Sequence, residues 1–378
     1  MKRFKIKTEV CFSDNAIDAL SEIKNKRAVI ITDPFMTSSG TAQRIAGKLS
    51  NCTSVHIFDK VRPDPPIEMV VEGVKFLNEH QADVVVALGG GSSIDAAKGV
   101  VLMMKKTHPE HKISLVAIPT TSGTGSEVTE FAVITDKERG VKYPLVDEEL
   151  LPDMAILDAT LVATAPPRIT ADTGFDVITH ALEAYVSINA SDASDALAEK
   201  ALELAFEYLP KAYKNGQDLV AREKMHSASC LAGMAFNAVS LGVNHGIAHQ
   251  LGAKFHIPHG RANAMLLPAV VEYNADIKGH FGEEPSEAAK RYANIAKRIG
   301  LPCNNVRTGV ESLVNELSYM LDMMEVPRTL AQAGVDKNEY ETLKSAMVAA
   351  ALADPCTATN PRMMTDEGVR EILAKLEG

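Results

Sequence analysis

Between residues 27 and 158 the chain repeats one pattern, a short run of β-branched and aliphatic residues followed by a stretch with helical spacing. Continuous apolar runs bounded by turn residues are typical of strands covered on both faces, as in a parallel sheet flanked by helices. The pattern therefore predicts an α/β domain with a mostly parallel sheet. The predicted strands are AVIITD (28–33), VHIF (55–58), DVVVALGGG (83–91), SLVAIPTT (114–121), FAVIT (131–135) and MAILD (154–158).

The pattern changes after ATAPPRIT (163–170), where two adjacent prolines interrupt the chain. Beyond them, stretches such as DALAEKALELAFEYLPKAY carry apolar residues at helical spacing and few β-branched clusters. We expect two domains, an α/β domain over residues 1–165 and an all-helical domain over residues 166–378. Small ligands commonly bind between packed domains, so the expected active site is the inter-domain cleft.

Composition narrows the class of partner. The 378 residues include 49 acidic and 39 basic side chains, a formal net charge of -10, which argues against nucleic acid or an anionic membrane as the partner. No apolar run approaches the roughly 20 residues that span a bilayer, and the five cysteines form no C-x-x-C pair. These features predict a cytoplasmic protein that binds a small molecule.

The predicted strand DVVVAL leads into GGGSSIDAAK (89–98), the order strand, glycine turn, helix. Glycines let the backbone approach a ligand closely, and a helix N-terminus offers N–H groups to an anion, so Gly89, Gly90 and Gly91 suit a pyrophosphate. The alternative is a tight turn without a ligand. A second loop, PTTSGTGSE (119–127), adds hydroxyl groups at the end of another strand, where open α/β sheets bind their ligands.

Asp33 ends the predicted strand AVIITD. A carboxylate there could accept hydrogen bonds from an adenosine ribose and would repel a 2′-phosphate, which favours NAD over NADP. In the usual dinucleotide fold this acid follows the glycine loop, whereas Asp33 precedes it. The alternative interpretation is an aspartate that starts a turn before Pro34.

In ITADTGFDVITHALEAYV, Asp176 and His180 lie four residues apart, on one face of a predicted helix whose start Thr170, Asp172 or Thr173 could cap. A carboxylate and an imidazole one turn apart can chelate a cation. The alternative is a buried salt-bridged pair. Glu183 shares this face and could support a ligand from behind.

VNHGIAHQLGAKFHIPHG (243–260) holds four of the chain's 11 histidines. His245 and His249 are also four apart and can share a helix face, whereas Pro258 and Gly260 predict a loop at His259. Imidazoles with one carboxylate suit Fe(II), Zn(II) or another divalent cation. Spacing alone leaves open which histidines join Asp176 and His180, and a group of core histidines is the alternative.

Together these segments resemble the iron-containing (group III metal-dependent) alcohol dehydrogenase family. GGGSSIDAAK, IPTTSGTGSE, TGFDVITHALEAY, NHGIAHQLG and PHGRANAMLLP occur in the family's order along nearly the whole chain. Within the family, PDPPIE with KFHIPHGRANAMLLP is most similar to the 1-propanol and ethanol dehydrogenases of bacterial propanediol and ethanolamine degradation. The resemblance implies an N-terminal α/β NAD-binding domain and an all-helical C-terminal metal-binding domain.

The resemblance also implies roles for individual residues. His249 would be left facing substrate and nicotinamide, and His256 has no ligand role in the family pattern. The implied metal ligands, for Fe(II) with Zn or another divalent metal as alternatives, are Asp176, His180, His245 and His259. The implied NAD contacts are Asp33, Asp64 (where many members have Asn), Gly89, Gly90, Gly91, Ser92, Asp95, Thr120, Thr121 and Lys142.

The implied activity is NAD-dependent interconversion of short primary alcohols and aldehydes, by a homodimer located in the cytoplasm at large or inside a bacterial microcompartment. Alternatives are a diol or polyol dehydrogenase of the same family and a metal-binding structural protein without catalysis. Related branches that act on phosphorylated or polyanionic substrates would need several basic residues near the metal loop. Only Arg261 lies beside His259 here.

Overall fold

The structure is a computed structural model and describes residues 4–136, 141–277 and 284–377. The chain divides into two compact units, the first formed by Lys5–Thr164 and the second by Ala165–Gly378 together with Met1–Phe4. In the described part of the chain, no helix is long and apolar enough to cross a membrane.

A six-stranded parallel sheet forms the centre of the first unit. Its strands, in the order in which they lie side by side, are β1 (Glu9–Phe12), β8 (Met154–Leu157), β5 (Ser114–Pro119), β4 (Val84–Gly89), β2 (Arg27–Ile31) and β3 (Ser54–Phe58). Every residue of β4 is buried, and alternate side chains enter two different core clusters, Val85 and Ala87 one, Val84 and Val86 the other. The long apolar run is therefore explained by burial on both faces.

Helices and short 3₁₀ turns connect these strands. The 3₁₀ segments are Ala16–Glu22, Ser126–Val128 and Glu148–Leu150. The helices are α1 (Pro34–Ser38), α2 (Thr41–Lys48), α3 (Ile67–Glu79), α4 (Gly91–Thr107) and α5 (Ala159–Val162).

One predicted strand lies elsewhere. FAVIT belongs to β6 (Phe131–Asp136), which pairs antiparallel with β7 (Val141–Val146) in a separate two-stranded sheet. β-Branched residues suit any half-buried strand, so composition did not distinguish this hairpin from the main sheet. The sixth strand of the main sheet is instead β1, a four-residue edge strand whose sequence, EVCF, is too short to show a pattern.

The carboxyl ends of β2, β4 and β5 lie side by side. The Thr32 hydroxyl donates to the Leu88 carbonyl at 2.7 Å, and the Thr120 N–H donates to the Gly89 carbonyl at 3.0 Å. From β2 the chain continues outward to β3 and then crosses to β4 on the other side, so the strand order reverses between β2 and β4. Open α/β sheets bind ligands outside the carboxyl ends of the strands at such a reversal.

Lys98 is fully buried on α4. Its ammonium donates to the carbonyl oxygens of Thr129 at 2.7 Å and Phe131 at 2.8 Å. Burial lowers the pKa of Lys98 to about 8, against the opposing attraction of Asp95 and Glu127. The lysine therefore joins α4 to the segment that follows the PTTSGTGSE loop.

All secondary-structure elements in the described part of the second unit are helices. Helix α6 packs against α7, α8 and α10, and a short 3₁₀ segment, Pro355–Thr359, follows α13. The helices are α6 (Pro167–Val186), α7 (Asp192–Lys214), α8 (Leu219–Val239), α9 (Val243–Phe255), α10 (His259–Ala275), α11 (Glu287–Arg298), α12 (Val306–Met323), α13 (Lys337–Ala353) and α14 (Asp366–Ala374).

The predicted start of α6 is wrong. The helix begins at Pro167, so the candidate caps Thr170, Asp172 and Thr173 lie inside it. Proline at the first helical position loses no intrahelical hydrogen bond, which allows this earlier start. Asp172 instead accepts two hydrogen bonds from the buried guanidinium of Arg261, at 3.1 and 2.6 Å.

Candidate metal centre and nucleotide-binding loops

Four side chains from three helices converge in the second unit. Asp176 and His180 project from α6, His245 from α9, and His259 is the first residue of α10. Oδ1 of Asp176 lies 4.0, 3.9 and 3.5 Å from Nε2 of His180, His245 and His259. One donor atom from each of the four lies within 4.8 Å of the others.

This donor group fits one divalent cation. Donors that share an ion at about 2.1 Å stand roughly 3 to 4 Å apart, and the separations from Asp176 lie in this range and exceed those of good hydrogen bonds. The salt-bridge alternative is therefore a poor description of the geometry. Burial, with smaller effects from the neighbouring imidazoles, lowers the pKa of His245 far below its usual value, leaving the neutral form that binds metals.

The predicted loop at His259 is wrong, because α10 begins at this residue and Pro258 takes the capping position. His256 ends α9 in a left-handed conformation with φ 55° and lies outside the donor group. The proline and glycine that suggested a loop instead mark the turn into a helix.

Glu183 supports His245 from behind. Its Oε2 lies 2.5 Å from Nδ1 of His245, and its Oε1 accepts the Asn244 N–H at 2.7 Å. Burial raises the pKa of Glu183 to about 8, although backbone hydrogen bonds oppose the shift. A hydrogen bond to one ring nitrogen of a metal-binding histidine sets the ring's orientation, so Glu183 keeps Nε2 of His245 directed at the donor group.

Asn263 was not singled out from the sequence. Its amide Nδ2 lies 2.7 Å from Oδ1 of Asp176, 3.0 Å from Nε2 of His245 and 3.2 Å from Nε2 of His259. Its Oδ1 accepts a hydrogen bond from Asn244 at 2.9 Å, which supports this orientation of the amide. The available signal was its position four residues after His259, one helical turn along α10.

His249 points to a different partner. Its Nδ1 lies 2.8 Å from Oδ2 of Asp354, and its ring stacks on His259 with the centroids 5.6 Å apart. Burial tends to raise the pKa of Asp354, but the hydrogen bond with His249 outweighs it, and the pKa lies below its ordinary value. The arrangement favours a proton on Nδ1 and leaves Nε2 as the acceptor. No sequence motif had indicated Asp354.

In the first unit, Asp33 begins α1. Its Oδ1 accepts the N–H groups of Phe35 at 2.9 Å and Met36 at 3.2 Å, whereas Oδ2 faces the hydroxyl of Ser93 at 3.5 Å. Asp33 therefore caps a short helix, where the alternative interpretation had expected a turn. The same carboxylate also presents one oxygen toward the glycine loop.

The two glycine-containing loops approach each other closely. A Cβ at Gly91 would stand 2.8 Å from Cγ2 of Thr124, so a larger residue would push the loops apart. Asp95 accepts hydrogen bonds from the Ser126 hydroxyl at 2.6 Å and the Val133 N–H at 3.0 Å, which holds the second loop against α4.

Of the remaining predicted NAD contacts, Thr120 and Thr121 belong to the second loop, whereas Asp64 and Lys142 lie in other segments. Thr120 is buried at the end of β5, and Thr121 follows it. Asp64 is exposed just before α3, with a left-handed φ of 52°. The side chain of Lys142 lies outside the described residues.

Replacing Glu183 with glutamine removes one of the two oxygens that face Asn244 and His245. We expect Glu183→Gln to weaken Fe(II) or Zn(II) binding by about 10- to 100-fold, measured anaerobically by competition with a chromophoric chelator. Glu207→Gln, on the exposed face of α7, should bind metal like the wild type. An unchanged metal affinity in Glu183→Gln would show that the hydrogen bond to Glu183 does not orient the His245 ring for metal binding.

Comparison with known proteins gives a consistent result over the whole chain. A model of the iron-containing alcohol dehydrogenases matches residues 7–159, and the C-terminal model of the Fe-containing alcohol dehydrogenase family matches residues 170–376. The chain is 44% identical over its full length to the 1-propanol dehydrogenase PduQ of Citrobacter freundii, which it also covers completely.

Solved structures with the same fold include a 1,3-propanediol oxidoreductase, with 32% identity, full coverage of both chains and a TM-score of 0.89. A sulfoacetaldehyde reductase from Bifidobacterium kashiwanohense in complex with NAD⁺ matches with 25% identity and a TM-score of 0.86, covering 100% of this chain and 98% of that one. The matched motifs, the fold and these relatives agree: the chain belongs to the iron-containing alcohol dehydrogenase family.

Proposed function

We propose that this alcohol dehydrogenase interconverts short primary alcohols and aldehydes, such as 1-propanol and propanal or ethanol and acetaldehyde, with NAD and a divalent metal. The observation that carries the proposal is the convergence of three imidazoles and one carboxylate beside His249. Similarity to a 1-propanol dehydrogenase supports the substrate class. Diols such as 1,3-propanediol are the second candidate, because one structural neighbour is a 1,3-propanediol oxidoreductase.

The proposed division of labour follows the two units. The metal ligands are Asp176, His180, His245 and His259, with Fe(II) favoured by the family and Zn(II) an alternative. NAD binds at the carboxyl ends of β2, β4 and β5, where the strand order reverses. The proposed contacts are Asp33, Asp64, Gly89–Ser92, Asp95, Thr120, Thr121 and Lys142.

When bound, the cation would supply Lewis acidity at the substrate oxygen, and NAD would supply the hydride chemistry. The protein's contribution is a proton path. In alcohol oxidation, Nε2 of His249 accepts the hydroxyl proton, while Asp354 stabilises the resulting imidazolium through Nδ1. In aldehyde reduction, the same nitrogen returns the proton to the product oxygen.

We also propose a homodimer, because members of the family are commonly dimers and dimers are the commonest symmetric oligomers in general. The resemblance to enzymes of propanediol and ethanolamine degradation supports a location inside a bacterial microcompartment, with the cytoplasm at large as the alternative.

The central test is NADH oxidation with a panel of short aldehydes under anaerobic conditions, before and after metal removal. We expect turnover of propanal and acetaldehyde that is lost on chelation and restored by Fe(II). Turnover of hydroxylated aldehydes alone would favour the diol assignment. A protein that binds metal and NAD but reduces no short aldehyde would support the structural alternative.

His249 and His259 should respond differently to substitution by alanine. We expect His249→Ala to keep its metal and lose about 10²- to 10⁴-fold in kcat, the usual contribution of a positioned acid or base. His259→Ala should lose metal and activity together. Metal analysis and steady-state kinetics on the same preparations separate the two effects.

His256→Asn is the matched control, because His256 is exposed and asparagine tolerates its left-handed backbone. Full metal occupancy in His259→Ala would remove this residue from the ligand set. An unchanged kcat in His249→Ala would exclude the proton path.

Asp33 should determine whether the enzyme prefers NADH or NADPH. Its carboxylate repels a 2′-phosphate, so we expect a higher kcat/KM for NADH than for NADPH. Asp33→Ser retains a helix cap but removes the charge and should shift the ratio toward NADPH by about tenfold or more. Comparable kcat/KM values for both cofactors in the wild type would contradict the assignment.

A further inference from the structure

A second group of donor side chains lies beside the metal centre. His249, Asp354 and Cys356 each offer one donor atom, and these atoms lie within 4.8 Å of one another. The group contains one imidazole, one carboxylate and one thiol, and all three residues are partly accessible to solvent. All five cysteines of the chain are free thiols, so Cys356 is not committed to a disulfide.

Local packing brings these residues together. Asp354 caps the 3₁₀ segment Pro355–Thr359 by accepting the Cys356 N–H at 2.9 Å, and the hydroxyl of Thr357 donates to the Ala351 carbonyl at 2.7 Å. A Cβ at Gly246 would stand 2.2 Å from Oγ1 of Thr357. Glycine at this position of α9 therefore lets the segment approach the helix that carries His249.

We propose that His249, Asp354 and Cys356 form a second metal site, which binds a thiophilic divalent cation such as Zn²⁺ with one coordination position open. Nitrogen, oxygen and thiolate donors are the ligands that zinc takes, whereas the first centre contains no sulfur. Donors of a tetrahedral zinc ion stand about 3.3 to 3.6 Å apart. The 2.8 Å pair of His249 and Asp354 would open by about half an ångström to admit the ion.

The protons balance without further reactants. As the ion binds Nδ1 of His249, the ring's proton moves to Nε2 and the imidazole stays neutral. Asp354 binds as a carboxylate, and the thiol of Cys356 loses its proton to solvent. Burial raises the pKa of this thiol, with Asp354 and Glu183 adding to the effect. A divalent cation held by His249 and Asp354 opposes this effect, because its positive charge favours the thiolate.

Occupancy of this site has a consequence that rests on the proposed function. A proton held on Nε2 prevents His249 from accepting the proton of the alcohol. Zinc in excess of the first centre should therefore inhibit the enzyme, even when the first centre holds iron.

Anaerobic titration of the metal-free protein with Co(II) tests the site without an activity assay. Thiolate bound to Co(II) gives an intense near-ultraviolet charge-transfer band, which the nitrogen and oxygen donors of the first centre do not give. We expect this band in the wild type and its loss in Cys356→Ser, with the weaker visible Co(II) bands of the first centre retained. Cys303→Ser is the matched control, because Cys303 belongs to neither donor group among the described residues.

His249→Ala and Asp354→Asn should raise the Co(II) concentration that gives half of the maximal near-ultraviolet absorbance by about tenfold or more, since each removes or weakens a ligand. Absence of the band in the wild type at saturating Co(II) would overturn the proposal. So would a band that persists in Cys356→Ser, or one that the His249 and Asp354 variants leave unchanged, because a thiol elsewhere or a thiol alone would then bind the ion.

Inhibition is measured separately on iron-loaded protein. We expect Zn²⁺ to inhibit the wild type at concentrations about tenfold or more below those that inhibit Cys356→Ser. If the cobalt band behaves as expected but zinc does not inhibit, the site stands and the proton path through His249 is wrong. If the protein reduces no aldehyde, the cobalt titration still decides the site.

Discussion

Burial of the Asp176 carboxylate is the constraint on which the helical unit's site depends. Only 2% of this residue is exposed, and a buried carboxylate is costly unless other groups compensate its charge. Three imidazole nitrogens and the amide of Asn263 surround it. A divalent cation would meet the same requirement more strongly, so the packing of α6, α9 and α10 that buries the acid also assembles the donor group proposed to bind the metal.

Two acidic side chains give two histidines on one helix face different hydrogen-bond partners. His245 and His249 are one turn apart on α9, yet Glu183 holds the first and Asp354 the second. Each carboxylate engages Nδ1, and His245 faces the four-residue donor group whereas His249 lies at its edge. Different acidic partners thus suit neighbouring imidazoles to the two roles proposed for them, metal ligand for His245 and proton carrier for His249.

In the first unit, the reversal of strand order between β2 and β4 has a comparable effect. It brings the end of β2, with Asp33, beside the glycine turn that follows β4. The unusual order of acid before glycine loop along the chain is therefore compatible with a single ligand site, because adjacency in a sheet does not follow sequence order. Asp95 holds the second loop to α4, and Lys98 holds the segment that follows this loop, both through buried polar contacts.

Much of the fold and of the candidate site could be predicted from the sequence, because the patterns that indicate them are local. Apolar runs indicated the parallel strands, and the i,i+4 spacing of Asp176 and His180 placed both on one helix face. FAVIT was predicted correctly as a strand but wrongly as part of the main sheet, and EVCF was missed, since short strands carry little information about their partners. Asn263 and Asp354 were not identified, because they contact residues 87 and 105 positions away.

The sequence by itself determined which side chains share a helix face or end a strand. Only the tertiary structure decided which histidine faces the metal donors, because that choice depends on hydrogen-bond partners brought by other helices.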